Sequence, residues 1–571
     1  MRLAAKVESD VARFLAACEA DPAQAAQFDV PRFLEGLAVR GAPAWDEWHD
    51  AQREALFVRF RRALAAVARR AMEGWRWREA IAWSERLLAT DPLADEAMRY
   101  AVEAHFCAGE RDTALARGRA HVARCEAEGL LPSRALLDLL DDIARAPARV
   151  PTRPVTQEFA TRHAPLAPTL AGREEAWQAL QRRWRRARHG EGGMVLLTGA
   201  PAVGKTRVAT EFVTWATASG ATVAQATAGD PYTAVPYGAV TELLRRLLDA
   251  PGLVATAPEA LAEVARILPA LRGRFPALPP VPPMPEVGDR LRLHDAVVQL
   301  LASLAAERPV LLLLDEAEWA DTDSLALLGW LRDALAAQPV LLLLAGTPAL
   351  AEPDGAFARL AAAVGGEASP ARVELPPLAE AVCVGIVREL AGLGPEGEGR
   401  AFAEAIARLS AGRPGWLLEL LKLLLAAGIV QAHGADGRWR LAAAPVDVPL
   451  EPLPPLATSL VLAPLEAIGA EARAVADALS GGVSALTPAR LAAGLGGAPL
   501  AHSALAERLV AAGLAEARGD GYALRPLVAA ALRGAMSPAR RAACAALHDA
   551  APAAGEQPLL LGAGALDLPR A

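Results

Sequence analysis

Only three lysines stand among the 59 basic residues of this 571-residue chain, and one of them closes an unusual octapeptide, Gly199-Ala200-Pro201-Ala202-Val203-Gly204-Lys205-Thr206. Glycines of this spacing let the backbone curl so that successive N–H groups, together with the N-terminus of a following helix, face a phosphate. A lysine then reaches over the small loop to the β- and γ-phosphates as a compact point charge, where the planar fork of arginine is too large. Thr206 is expected to place its hydroxyl on Mg²⁺. The stretch from 199 to 207, ending on Arg207, is the expected cradle for ATP or ADP.

Such a cradle needs an acidic partner for the metal. "PVLLLLDEAEWAD" (309 to 321) supplies one, because its four leucines carry Asp315 to the end of an apolar run, where it can hold the Mg²⁺ shell. Glu316 follows at once. Its expected role is to orient and deprotonate the attacking water, since phosphoryl transfer needs mostly positioning and charge stabilisation; the alternative is a solvated loop acid. Lys205 and Glu316 are thus the candidate catalytic pair of a slow ATPase.

These residues require strands and helices to hold them. "MVLLTG" (194 to 199) has the short apolar character of a buried parallel strand, and "KTRVATEFVTWATA" after it is patterned as a helix. Further strands are expected at 221 to 228, 339 to 347 and 371 to 378. Alternation with helices predicts a three-layer α/β core around a parallel sheet. The rest is rich in alanine and leucine with 5% aromatic residues, so the fold class is mainly α with that α/β core inside it.

Two proline-rich stretches interrupt the helical pattern. The first (146 to 168) carries five prolines and is a candidate linker; the second (269 to 288) carries seven and is expected as a surface excursion within one domain. Before the linker, Ala80 and Ala114 stand 34 residues apart in similar helical segments, the tetratricopeptide period. A generic helical bundle tolerates that spacing too. The domains expected are a TPR-like helical region (1 to 145), the linker, an ATPase core (169 to 380), a helical lid (381 to 450), a winged helix (451 to 550) and a tail (551 to 571).

Resemblances sharpen these expectations. Through "VESDVARFLAAC", "RFLEGL", "WDEWHDAQRE" and the repeat, residues 8 to 145 resemble the bacterial transcriptional activator domain of streptomycete-type antibiotic regulators. In that family a winged-helix DNA reader precedes this region, and the present sequence starts where it would end, so direct DNA binding by this chain is not expected. The match implies a protein partner for the helical region, such as RNA polymerase or a sister subunit.

From about 169 to 535 the chain resembles the STAND class of P-loop ATPases, particularly the modules of large LuxR-type regulators. "LAGREEAWQAL" (170 to 180) looks like the entry motif of that class, which implies that Gly172 and Arg173 lie near the adenine. "LSAGRPGWLLELLKLLL" (409 to 425) resembles its Gly-x-Pro element, implying that Pro414 packs on the base; the alternative is a helix start with proline at its first turn. Relatives usually place a β-phosphate-binding histidine before the Pro-Leu of "RPL", where this chain has Arg525. At the end of the fourth strand they often place a polar or arginine sensor; Thr347 is the candidate here, against a plain turn residue. The resemblance implies a nucleotide-controlled signalling switch of the transcription-regulator kind, or, in another class, an ATP-driven scaffold that recruits a partner.

Composition excludes other classes. The net charge of -7 provides no chain-wide footprint for nucleic acid. "QRRWRRARHG" (181 to 190) is read as the solvated face of a helix. The five cysteines suit neither a disulfide framework nor zinc, and the histidines, His49, His105 and His121 among them, show no ligand spacing. No apolar run approaches a bilayer's width, so the expected location is cytoplasmic.

Overall fold

The computed structural model describes residues 9–145, 171–228, 235–281, 286–391 and 398–549, apart from interruptions at 29, 31–32, 35–36, 38, 40–41, 74–75, 353, 366–370, 427–429, 434–437 and 442–454. The proline-rich stretch at 146 to 168 and the tail at 551 to 571 lie outside the described residues. The chain divides into two compact units, one of residues 1–152 with 210–223, the other of 153–209 with 224–571.

The first unit is helical. Ser9 caps α1 (Asp10–Ala20) by accepting the Ala12 N–H, and Asp21 caps α2 (Pro22–Ala25), whose first turn holds a proline that has no N–H to leave unpaired. A long α3 (Pro43–Glu73) follows, then α4 (Trp77–Thr90), α5 (Asp95–Cys107), α6 (Arg111–Ala127) and α7 (Arg134–Arg145). Each of α3 to α6 packs on the next, and α7 lies against both α5 and α6. Alanines let the helices approach closely: Ala80, Ala97, Ala101, Ala104 and Ala114 are wholly buried.

The second unit is built on a five-stranded parallel sheet with order β2-β3-β4-β1-β5. Its strands are β1 (Gly193–Gly199), β2 (Thr222–Thr227), β3 (Val310–Asp315), β4 (Val340–Gly346) and β5 (Arg372–Leu375). Each falls within the run of residues expected to form it, give or take one residue. Every residue of β3 and β4 is buried, which is why they are near-continuous leucine rather than an alternating pattern. Register pairs Thr198 with Gly346 and Leu314 with Leu344, so the C-terminal ends of β1, β3 and β4 meet at one edge. That edge carries Gly199, Asp315 and Thr347. In the segment at 181 to 190, Trp184 is buried while Arg182, Arg185, Arg186 and Arg188 face outward on the helix Glu174–Arg188, as expected of a solvated face.

Beyond the sheet come the helices Glu380–Ala391, Glu398–Ser410 and Pro414–Ala426 and an antiparallel ribbon of β6 (Val430–His433) and β7 (Arg438–Leu441). The ribbon was not expected in this helical stretch, although Gly434-Ala435-Asp436-Gly437 between two four-residue strands is a turn signal. Further helices at Pro455–Ile468, Ala470–Leu479, Pro488–Leu495 and Pro499–Ala511 lead to a hairpin of β8 (Ala515–Arg518) and β9 (Gly521–Leu524). Leu486 exchanges both backbone hydrogen bonds with Tyr522 and so extends that hairpin by one bridge. The helices Pro526–Ala535 and Pro538–Asp549 close the unit. One apolar cluster runs from Leu378 through Trp416 and Val475 to Leu547, so these helices share a core. Among the described residues, no helix is long and apolar enough to cross a membrane.

Candidate functional site

The loop between β1 and the helix Lys205–Ala218 has the backbone that its glycines foreshadow. Gly199 has φ 154° and Gly204 φ 104°, and a Cβ on Gly199 would lie 2.7 Å from the Leu375 carbonyl oxygen. Between them Ala202 takes a left-handed φ of 62°, a costly conformation for a side-chain-bearing residue and one that concentrates at functional sites.

Lys205 bends back over this loop. Its ammonium donates to the carbonyls of Gly199 (3.0 Å) and Ala200 (3.2 Å) and to the hydroxyl of buried Thr347 at the end of β4 (2.8 Å). Burial pulls it below the usual lysine range, while Glu318, Asp315 and Glu316 pull it back up. The Thr206 hydroxyl hydrogen bonds the Asp315 carboxylate, which also accepts the Glu316 N–H at 3.0 Å. Thr206 and Asp315, the expected Mg²⁺ pair, are therefore adjacent, and an oxygen-rich pair of this kind suits a hard divalent cation. Arg207 points to solvent.

Glu316 has a left-handed φ of 53° and an exposed side chain. Burial raises the carboxyls of Asp315 and Glu318 above the usual carboxylate range, and partial desolvation, with Asp315 beside it, does the same at the more open Glu316. Glu318 was not singled out in the sequence. It accepts the N–H of Thr347 and its own N–H, and its Oε2 has no partner. Its place three residues after Asp315 was a signal only in hindsight of the 3₁₀ turn Ala317–Trp319 that folds it inward.

Arg173 lies beside the loop, only 5% exposed, but its guanidinium donates to the carbonyls of Val203 (2.8 Å) and Pro376 (2.6 Å). Its donors therefore brace the cradle's backbone. Gly172, with φ 74°, packs against Leu378 and Val382. Pro414 opens the helix Pro414–Ala426, and the next residue, Gly415, donates its N–H to the Ala202 carbonyl at 3.0 Å, which locks this helix start onto the loop.

The neighbour of Pro414 is the more unexpected residue. Arg413 is 1% exposed, stacks over the Trp416 ring at 4.2 Å and donates one Nη2–H to the Ala512 carbonyl at 3.3 Å. Its Nε and Nη1 have no partner. Burial, with Arg525 alongside, pulls the guanidinium down to about 9. Arg525, at the N-cap of Pro526–Ala535, has one distant carboxylate neighbour, Glu516 at 3.7 Å, and an unpartnered Nε. Arg525 is expected only through the resemblance, and Arg413, which precedes a helix-starting proline, carries no signal in the sequence.

Loop, ammonium, paired hydroxyl and carboxylate at one parallel-sheet edge define a P-loop nucleotide site. Residues 169–343 match the family model of the AAA ATPase domain. The chain thus carries an AAA-type P-loop ATPase module. Among solved structures, it is similar to a Walker-type ATPase of Pyrococcus abyssi, at 17% identity over 63% of this chain and 95% of that one, with TM-score 0.41. It is also similar to the RuvB Holliday junction branch migration motor of Thermotoga maritima (18%, 64% and 96%, TM-score 0.29). A third is a STAND protein with a tetratricopeptide repeat sensor from Pyrococcus horikoshii (13%, 63% and 44%, TM-score 0.24). No curated protein matches the chain.

Proposed function

We propose that this protein is a nucleotide-controlled signalling switch of the STAND kind, in which ATP·Mg²⁺ bridges the P-loop and the C-terminal helical region, and slow hydrolysis resets it. In this reading the nucleotide lies in the cradle of residues 199 to 207, Thr206 and Asp315 hold Mg²⁺, and Glu316 activates water. Gly172, Arg173 and Pro414 frame the base, and Arg525 meets the diphosphate. Residues 381 to 450 act as a lid and 451 to 550 as a winged helix that moves with the nucleotide's state.

One observation supports the reading above the rest: Lys205 joins the loop carbonyls to Thr347 just past β4, with Asp315 and Thr206 bonded beside it. The parts that ATP chemistry needs are gathered on two neighbouring strands and one loop. A ligand moves such a switch only by its difference in affinity for the two forms, and taking the population from 1:99 to 99:1 needs about 5.5 kcal/mol. Contacts to a triphosphate and its Mg²⁺ from both sides can supply that difference.

The activator-like region at 1 to 145 would then offer its TPR-like helices to a protein partner, and the output would be transcriptional. Light scattering of the full chain with ADP, with ATP·Mg²⁺, and with ATP·Mg²⁺ in Glu316→Gln tests the switch. A rise in mass with trapped ATP alone marks an assembly switch, and a constant mass with nucleotide bound places the switch within one chain. Unchanged nucleotide binding by Lys205→Ala would end the reading at its first step.

A further inference from the structure

The helical unit holds a second group of reactive side chains, independent of the nucleotide site. Asp95 opens α5, while His121 and Cys125 stand one turn apart on the same face of α6. His121 Nε2 lies 2.7 Å from Asp95 Oδ1, and Cys125 Sγ lies 3.5 Å from that nitrogen and 3.8 Å from that oxygen. One ligand atom from each residue lies within 4.8 Å of the others. His121 and Cys125 are buried and Asp95 half-buried. The sequence expectation does not weigh the four-residue spacing of His121 and Cys125.

Two uses of such a trio can be separated by geometry. A Cys-His-Asp triad places the nucleophile and the carboxylate on opposite ring nitrogens. Here both face Nε2, and Nδ1 has no protein partner, so the arrangement is not that of a triad. A metal ion asks for the opposite, three donor atoms converging on one point. Tetrahedral bonds of about 2.0 to 2.1 Å to nitrogen, 2.0 to 2.2 Å to oxygen and 2.3 Å to sulfur make edges of roughly 3.6 Å for N to S, 3.6 Å for S to O and 3.4 Å for N to O. The two edges to sulfur are already in place, and the third opens by roughly 0.7 Å when the ion replaces the direct hydrogen bond between His121 and Asp95.

We propose that Asp95 Oδ1, His121 Nε2 and Cys125 Sγ bind a zinc ion, with water as the fourth ligand. On binding, the thiol proton of Cys125 passes to solvent, the ring proton that His121 donates from Nε2 to Asp95 is replaced by one on Nδ1, and Zn–S and Zn–N bonds form, so a carboxylate and a thiolate balance the dication and the buried site is neutral. The mix of nitrogen, sulfur and oxygen favours zinc over the hard cations Mg²⁺ and Ca²⁺. The Ser133 N–H donates to Asp95 Oδ2 and so fixes the carboxylate from behind while Oδ1 turns to the ion. The ion would pin α5 to α6 beside the loop that leads into α7.

The untagged full chain, stripped with a chelator and dialysed, is titrated with Zn²⁺ and separately with Co²⁺. The expected result is stoichiometric uptake, a near-ultraviolet thiolate-to-cobalt absorption, and a higher melting temperature with Zn²⁺. Cys125→Ser, close to isosteric, should abolish the absorption and most of the melting shift while far-ultraviolet circular dichroism stays that of the parent. Asp95→Asn should weaken uptake and keep the absorption at saturating Co²⁺. No stoichiometric uptake by the parent, or an unchanged cobalt absorption in Cys125→Ser, overturns the proposal.

Discussion

Two walls of opposite charge stand near the P-loop, one acidic and one basic. Along β3 and the turn after it, Asp315, Glu316 and Glu318 set three carboxyls around one ammonium, and desolvation, only partial at Glu316, raises all three. Across the helix start at Pro414, Arg413 and Arg525 set two guanidiniums together, and burial pulls Arg413 down to about 9. A buried charge without a partner is expensive, and the fold here keeps both signs in excess on separate elements. In the proposed reading Mg²⁺ would answer the first wall and phosphate oxygens the second. The contrast sets an acidic wall already held by Lys205, Thr206 and backbone N–H groups against a basic wall in which two nitrogens of Arg413 lack partners, a local tension that bound phosphate would relieve.

The walls also differ in what they can do. In the proposed reading the acidic wall would hold the metal and the water and should govern turnover, whereas the basic wall would hold the diphosphate and should govern affinity and closure. The largest expected effect follows from the first role: Glu316→Gln should cut ATP hydrolysis by about 10² to 10⁴-fold, the usual worth of a positioned general base, with nucleotide affinity nearly unchanged. Steady-state phosphate release beside equilibrium binding of a fluorescent ATP checks both halves. Equal losses in rate and affinity would show that Glu316 belongs to the fold of the turn, not to the chemistry.

Lys205 stands between the walls, and Lys205→Ala should weaken ADP and ATP by roughly 100-fold, since charge-assisted hydrogen bonds to phosphate contribute about 1.5 to 3 kcal/mol each. Calorimetric titration reads this directly. Arg413 tests the comparison more sharply, because tension and binding predict opposite signs. Arg413→Met removes two unpartnered N–H positions from a buried site, so the nucleotide-free protein should melt higher by about 1 to 3 kcal/mol of stability. Its affinity for ADP should fall roughly 10-fold, and the melting shift on adding ADP should shrink. Were Arg413 simply a strut between Trp416 and Ala512, the same change would lower both melting temperatures equally.

What could be read in advance was what is local in the chain. The cradle is made by consecutive backbone groups of residues 199 to 207, so its glycines and lysine announce it, and the leucine runs of β3 and β4 announce strands because both of their faces are buried. Asp315 follows from being the last residue of such a run. Arg413 could not be read, because its partner carbonyl belongs to Ala512, 99 residues on. Arg173 was placed near the base by resemblance, and only the fold reveals that Val203 and Pro376 take its donors. Cys125 lies four residues after His121, a visible spacing, but Asp95 joins them only because α5 packs on α6.

The gentlest test acts on the acidic wall through pH. Asp315, Glu316 and Glu318 have folded-state values raised above their ordinary 3.8, 4.5 and 4.5, so the folded protein holds their protons more tightly than the unfolded chain does. Their contribution to stability is therefore greatest below those ordinary values and declines as pH rises through the raised ones. Mg²⁺ with ADP favours the ionised forms and should flatten or reverse that decline. Denaturant titrations across this window, with and without Mg·ADP, measure the two slopes, and Asp315→Asn should remove part of the difference between them. Identical slopes with and without ligand would mean that the acids are satisfied within the fold, and the two walls would then be a matter of sequence position, not of stored charge.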